Sequence, residues 1–325
     1  MGILPGSPDA RPPFLTFILQ DLDPDYNFAA ASAHIRDAAA QGASLAVLPE
    51  YHLTGWVPEN PQFAVIAQTA YKYVSKYQDL AKELKINIVP GTIVSIDPKS
   101  PAPAATNGTA SQPSALLNIA YFISYTGEVL GSYAKANLWI PERPYLTSGP
   151  DSTRTNGHVH GPGSSEGPPP VNPHAVIETP LGPIGFVICW DLAFPEACRA
   201  LVRQGARLII IPTFWATDDL TEEALKYGPD VDAIFLKNTV VTRAFENTCA
   251  VIFVNVGGPS GEGYTGLSQV VLPLVGKVQG SFDDGTPGMR IVEVDMRTVD
   301  LAEQTYKIRE DMARKDWHYG YSHEK

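Results

Sequence analysis

The sequence predicts an α/β fold of mixed sheet topology, and three features carry that expectation. Short apolar runs of strand length alternate with segments whose apolar residues recur at helical spacing. Hairpin signals lie among them, so antiparallel pairs mix with crossovers. The chain has 325 residues, 44% of them hydrophobic, which is enough apolar surface for one large core.

The elements follow in order. Phe14 to Leu19 reads as a strand; Phe28, Ala31, Ile35 and Ala38 recur at helical spacing; and Leu45 to Leu48 is a short buried strand, which completes a β-α-β unit. Phe63, Ile66, Ala70, Val74, Tyr77, Ala81 and Leu84 mark one face of a second helix, followed by strands Ile86 to Val89 and, past Pro90-Gly91, Thr92 to Ile96. Leu116 to Tyr125 and Glu128 to Ala134 flank Thr126-Gly127 as a hairpin, and Ala175 to Glu178 pairs with Ile184 to Ile188 across Leu181-Gly182-Pro183. Helix Pro195 to Gln204, strand Leu208 to Ile211 and helix Val231 to Glu246 come next. Strands Ala250 to Val256, Leu267 to Leu272 and Arg290 to Val294 complete the reading, with no internal repeat.

A single domain over residues 1–325 is expected, interrupted by two Pro/Gly-rich insertions at about 97–114 and 149–174 and ending in a polar tail at about 311–325. Loops of this length inside a compact domain tend to be functional lids or disordered insertions. The second precedes the hairpin leading to Cys189, which makes it a candidate wall over a pocket. Trp317, Tyr319 and Tyr321 in the tail are candidates for docking on a second subunit.

The 24 basic and 35 acidic residues leave a net charge of −11, and no run stacks Lys and Arg, so neither nucleic acid nor an anionic membrane is an expected partner. No apolar stretch is long enough to span a bilayer, and Met1-Gly2-Ile3-Leu4-Pro5-Gly6 lacks the pattern of a signal peptide. A cytoplasmic protein is expected, with Cys189, Cys198 and Cys249 as free thiols and Asn107-Gly108-Thr109 a chance sequon.

Chemistry concentrates at strand ends. Cys189 closes the apolar run Ile184 to Ile188 shortly before a helix opened by Pro195; there a thiol can be exposed and its pKa lowered by the helix N-terminus, although an arbitrary Cys is more often buried core. Glu50 closes Leu45-Ala46-Val47-Leu48-Pro49, at the rim where α/β folds place active sites. Lys135 ends the strand Glu128 to Ala134, and Glu142 follows seven residues on. Of the seven histidines, only His52 adjoins a strand end, and it is the one candidate base for a Cys–His pair. No HExxH or CxxC spacing appears and His158-x-His160 reads as solvated loop, so no metal site is expected.

Taken in order, Leu48-Pro49-Glu50, Tyr133-Ala134-Lys135-Ala136-Asn137-Leu138 and Gly185-Phe186-Val187-Ile188-Cys189-Trp190-Asp191 form a set. Glu178 to Gly185, Phe194-Pro195-Glu196 with Arg199, Leu208 to Pro212, Arg243 to Asn247, Asn255-Val256-Gly257 and Gly266-Leu267-Ser268 extend it. On these motifs the chain resembles the carbon–nitrogen hydrolases of the nitrilase superfamily. The resemblance implies a four-layer α-β-β-α sandwich, a homodimer or larger homo-oligomer, and no metal or organic cofactor. It implies Glu50 as general base, Cys189 as nucleophile, and Lys135 with the Trp190 backbone N–H as oxyanion donors. It further implies Glu142 as an additional acid acting on Lys135, substrate or water. Trp190 and Trp139 are the expected substrate-binding residues, and Arg143 is a weaker candidate for a substrate carboxylate.

Cys189-Trp190-Asp191 followed by Phe194-Pro195-Glu196 is more similar to the amide and carbamoyl cleavers than to true nitrilases, which tend to carry Glu where Asp191 stands. The expected reaction is therefore cleavage of a small amide or N-carbamoyl compound through a Cys thioester, with nitrile hydrolysis as the alternative. A redox-sensing Cys189 and a non-catalytic binding or assembly protein of the same fold are further alternatives; the latter would be marked by loss of Glu50, Lys135 or Cys189, all three of which are present.

Overall fold

The computed structural model describes residues 9–10, 13–16, 19–96, 115–149, 174–217, 220–228 and 230–319. Both expected insertions fall outside the described residues except at Gly149 and His174, as do residues 320–325 of the tail.

Two sheets form the centre. The N-terminal sheet runs in the order Gly288–Ile291, Pro13–Thr16, Leu45–Val47, Asn87–Val89, Leu116–Ile123, Thr92–Ile96, with Val129–Ala134 also paired to Leu116–Ile123. Pro13–Thr16, Leu45–Val47 and Asn87–Val89 are parallel, and the rest join antiparallel. The C-terminal sheet runs Gly276–Lys277, Gln269–Leu272, Ala250–Asn255, Leu208–Thr213, Gly182–Phe186, Ile177–Thr179, with its three central strands parallel. A short ribbon pairs Asp9–Ala10 with Val294–Asp295.

The alternation of side chains along the strands builds four layers. Leu45, Val47, Ala120 and Phe122 join Ile184, Phe186 and Phe253 in one apolar cluster between the sheets. Their neighbours Ala46, Leu48, Ile119, Tyr121 and Ile123 face the other way, onto Ala31, Ile35 and Ala38 of helix Pro24–Ala40 and Tyr73, Val74 and Tyr77 of helix Tyr71–Leu84. Helices Pro195–Arg203 and Val231–Glu246 cover the C-terminal sheet through Cys198, Leu201, Leu236 and Val240. The first of these sits close enough that a Cβ at Gly185 would meet Leu201 at 2.5 Å. The expected α-β-β-α sandwich is thus observed. Among the described residues, no helix is long and apolar enough to cross a membrane.

Three expectations change. The single helix over Phe63 to Leu84 is two, Pro61–Ala67 and Tyr71–Leu84. Asn60 caps the first by accepting from the Gln62 N–H, and its Phe63 and Ala67 enter a different cluster, with Tyr51 and Leu138. The two apolar stripes stay in phase across the break but face different neighbours. In the hairpin before Cys189, Thr179 pairs with Gly182, so the turn is Pro180-Leu181, one residue earlier than expected. Arg290 to Val294 is interrupted: Gly288–Ile291 pairs with Pro13–Thr16, whereas Val294–Asp295 joins the ribbon. In the tail, Met312 is buried, Trp317 packs in part against the chain's own apolar cluster and Tyr319 is exposed, while Tyr321 lies outside the described residues.

Candidate active site

The candidate residues leave the ends of strands in the two facing sheets. Leu45–Val47 is followed by Leu48, Pro49 and Glu50, and the turn beside it needs glycine: Gly91 has φ +54°, and a Cβ there would lie 1.8 Å from the Pro49 carbonyl oxygen. Lys135 follows Val129–Ala134, its N–H still bonded to the Asn118 carbonyl at 2.9 Å. Glu142 ends the 3₁₀ turn Ile140–Glu142, where its Oε2 accepts from the Trp139 N–H at 2.7 Å. Cys189 follows Gly182–Phe186 and opens the 3₁₀ turn Cys189–Ala193 with φ +45°, a left-handed conformation that a non-glycine residue adopts at a cost of roughly 1–3 kcal/mol and that clusters at functional sites.

These four side chains converge. Lys135 Nζ lies 2.9 Å from Glu50 Oε1 and 2.6 Å from Glu142 Oε1, with all three side chains almost fully buried. Asn118 Nδ2 also donates to Glu50 Oε1, at 2.7 Å, and the Phe214 N–H donates to Glu50 Oε2 at 2.8 Å. The Tyr51 hydroxyl donates to Glu142 Oε1. Cys189 Sγ lies 3.9 Å from the Phe214 carbonyl oxygen. The Glu50 carboxylate is therefore fixed through both oxygens beside the thiol.

Asp191 ties these segments together. Its Oδ1 accepts from the backbone and side-chain nitrogens of Asn137, each at 2.8 Å, and its Oδ2 from the Tyr133 hydroxyl at 2.8 Å and the Ile188 N–H at 3.0 Å. One carboxylate thus locks the chain after Lys135 to the chain before Cys189. Other motif residues are likewise braces: Arg243 donates to the Leu192 carbonyl at 3.0 Å, and Asn255 Oδ1 accepts from the Trp215 N–H at 2.7 Å. In the turn at Cys189 the first N–H that bonds back is that of Asp191, to Ile188, so the Trp190 N–H stands outside the turn's own hydrogen bonds.

Burial and charge set the protonation states. Burial raises Glu50 to about 7; Lys135 pulls it down, Glu142 pushes it up, and a hydrogen bond from Cys189 lowers it again. Burial would depress Lys135, but Glu50, Cys189 and Glu142 outweigh it and keep the ammonium charged. Burial and the Glu50 charge push the Cys189 thiol well above its ordinary value, against the pull of Lys135. This reverses the expected lowering by a helix N-terminus, because helix Pro195–Arg203 begins six residues on and tertiary burial dominates.

The four residues line a cavity of about 230 Å³ with Tyr51, Trp56, Trp139, Trp190, Phe214, Trp215, Leu220 and Asp232. Trp139 and Trp190 lie where the sequence places them. Arg143 does not: it is exposed, outside the cavity lining, with its Nε 3.4 Å from the Leu138 carbonyl. His52 is fully buried with Nε2 2.9 Å from the Tyr77 hydroxyl, and burial lowers it to about 3, so it is neither in the cavity lining nor suited as a base for Cys189. Cys198 and Cys249 are fully buried core, as expected. Among the described residues, no group of three or more His, Cys, Asp or Glu is arranged to hold a metal ion. Sequence reasoning missed Tyr51, Asn118, the Phe214 N–H and Asp232; only Tyr51, adjacent to Glu50, carried any local signal.

An α-β-β-α sandwich whose facing sheets bring Glu50, Lys135 and Cys189 together defines the nitrilase-superfamily class of proteins. The solved carbon–nitrogen hydrolase from Helicobacter pylori has this fold, with a TM-score of 0.72 at 18% identity over 96% of this chain and 97% of that one. The family model for carbon–nitrogen hydrolases matches residues 15–304, and the chain belongs to that family. It is 28% identical over 277 residues to the deaminated glutathione amidase of Bos taurus, covering 84% of this chain and 73% of that protein. It is 25% identical over 279 residues to a probable nitrilase of Schizosaccharomyces pombe, covering 84% of each. The chain is thus a hydrolase of carbon–nitrogen bonds.

Proposed function

We propose that this hydrolase cleaves a small amide or N-carbamoyl compound through a thioester on Cys189. One observation carries the reading: a buried carboxylate with its pKa near 7 stands beside a thiol that stays protonated at neutral pH. Such a thiol needs a base during attack, and Glu50 is the neighbouring group that supplies one.

Glu50 takes the thiol proton as Sγ bonds to the carbonyl carbon, and the carbonyl π pair moves onto oxygen. Lys135 Nζ and the Trp190 N–H stabilise that oxyanion, a contribution of about 3–4 kcal/mol for one such donor. Protonated Glu50 then gives its proton to the nitrogen, the C–N bond breaks, and ammonia or an amine leaves the thioester behind. Glu50 next removes a proton from water as the water attacks the thioester. Collapse expels the thiolate, which recovers the proton from Glu50, and the acid departs. The cycle draws on side chains and water. Glu142 holds Lys135, and Trp139 and Trp190 form cavity wall for the substrate.

A nitrile would follow the same path through a thioimidate, and the similarity to a probable nitrilase keeps that second reading in the test. The reading is of a single-domain cytoplasmic enzyme, a homodimer or larger, acting without nucleic acid or membrane. Ammonia release is measured from a panel of amides, N-carbamoyl compounds and nitriles, with Cys189→Ala in parallel. Release from amides or carbamoyl compounds by the parent alone is expected. Release from nitriles alone moves the assignment to nitrilase, and equal release by Cys189→Ala removes the thioester.

A further inference from the structure

The wall of the cavity that the reaction does not use has a chemistry of its own. Asp232 stands in the first turn of helix Val231–Glu246, lines the cavity, and is 8% exposed. Among the described residues its buried Oδ2 has no hydrogen-bond partner, although the Trp215 side chain donates to the carboxylate. A first-turn acid stabilises a helix from the solvated surface, where its oxygens meet water. Here a carboxylate largely shielded from water belongs to the lining of the cavity, a costly arrangement unless an occupant supplies a compensating charge or donor.

The rest of that space is aromatic. Trp190 and Trp215 lie with ring centroids 5.7 Å apart on one side, and Tyr51 stacks on Trp56 at 4.8 Å on the other. Indole and phenol faces carry negative quadrupole charge and attract cations, most strongly where water is excluded. Among the described lining residues the only cation is Lys135, and its ammonium is already shared between Glu50 and Glu142. Among these residues a substrate carboxylate finds no free positive partner, whereas a substrate cation finds both Asp232 and the rings.

We infer that the cavity selects substrates whose acyl or carbamoyl part carries a positively charged group, an ammonium or guanidinium, seated between Asp232 and the surrounding indoles. The inference rests on the hydrolase reading above for its orientation, with the scissile carbon at Cys189 and the cation at Asp232. A cavity of about 230 Å³ lies below the roughly 300–1,000 Å³ of sites for drug-sized ligands, so the substrate is short.

The test compares ω-amino amides of four to six carbons with n-alkanamides of matching heavy-atom length and with ω-carboxy amides, at a pH where the amines are protonated. The expected order of kcat/KM is cationic, neutral, anionic, with about tenfold or more between the first two for the best chain length. Asp232→Asn is expected to reduce the cationic-to-neutral ratio by about tenfold, and Asp232→Glu to retain most of it. Neutral amides equalling the cationic ones at every length, or an unchanged ratio in a folded Asp232→Asn, overturns the inference and leaves amide hydrolysis standing. Should no amide be turned over, the amide reading fails separately. Tryptophan-fluorescence titration of Cys189→Ala with the same series then decides: tighter binding of the cations supports the inference, and equal or weaker binding overturns it.

Discussion

Replacing Glu50 by Gln tests the centre of the site most directly. Glu50 accepts from Lys135 and Asn118 through Oε1 and from the Phe214 N–H through Oε2, and each of these groups donates. A Gln has only one oxygen, so its NH₂ must face a donor on one side or the other, and at least one buried donor is left unpaired. That costs about 1–3 kcal/mol of stability, read as a lower urea midpoint. Loss of the base removes about 10²–10⁴ from kcat/KM for the amide or carbamoyl substrate that the panel identifies. In the parent, kcat/KM rises with pH until it levels above about 7, because only the carboxylate accepts the thiol proton; the variant lacks that limb. The stability gap changes with pH in a fixed direction. Glu50 is raised above its value in the unfolded chain, so the folded state holds the proton more tightly. Its contribution is complete below the unfolded value and is lost as pH rises through about 7, and the parent's advantage over the variant narrows across that range. A Gln variant with kcat/KM within threefold of the parent, or with the same rising limb near pH 7, refutes the assignment of Glu50 as base.

Three further substitutions probe the surroundings. Lys135→Met leaves Glu50 and Glu142 buried without their shared cation; about 3–5 kcal/mol of stability is lost, kcat/KM falls about 10²–10³ or more, and the acidic limb of any residual pH profile moves above 7. Urea melts and rate profiles check this, and a limb that stays in place contradicts the coupling. His52→Asn removes the bond to Tyr77 but nothing from the cavity, so it lowers the melting temperature while kcat/KM stays within a few fold; loss of all activity in a folded protein would revive a Cys–His pair. Gly91→Ala forces a side chain against the Pro49 carbonyl in a backbone region that disfavours it, which costs more than about 1 kcal/mol and displaces Glu50. Calorimetry alongside steady-state rates checks this, and a variant as stable and active as the parent refutes the close contact.

The sequence exposed those residues whose position and chemistry were both local. Lys135 follows its strand directly, and Glu50 and Cys189 come three residues after strands of the parallel parts of the two sheets, whose ends have a known place in the fold. The groups that control them were hidden because they come from far along the chain. The Phe214 N–H reaches Glu50 across 164 residues and Asn118 across 68, and the first is a backbone group that no residue type announces. Asp232 carries no local signal in the sequence; its meaning depends on Trp215 and on a cavity that exists only once the sheets face each other. The direction of the Cys189 shift failed for a related reason. Proximity to a helix in sequence says nothing about burial, and burial dominates here. The break between Ala67 and Tyr71 escaped detection because the apolar spacing continues across it.

The placement of Lys135 between two carboxylates, rather than against one, suits what the proposed reaction asks of Glu50. In each half of the proposed cycle the same carboxylate first removes a proton and then returns it, and a group that does both works best with a pKa near the working pH. A buried Glu50 alone would hold its proton too firmly to act as a base. Paired with an undivided ammonium it would release the proton too readily to act as an acid. Glu142, itself held by the Tyr51 hydroxyl, engages that ammonium from the far side, and its negative charge pushes Glu50 back up to about 7. The second acid therefore tunes the first by its own charge while it holds the cation that, in the proposed cycle, stabilises the oxyanion.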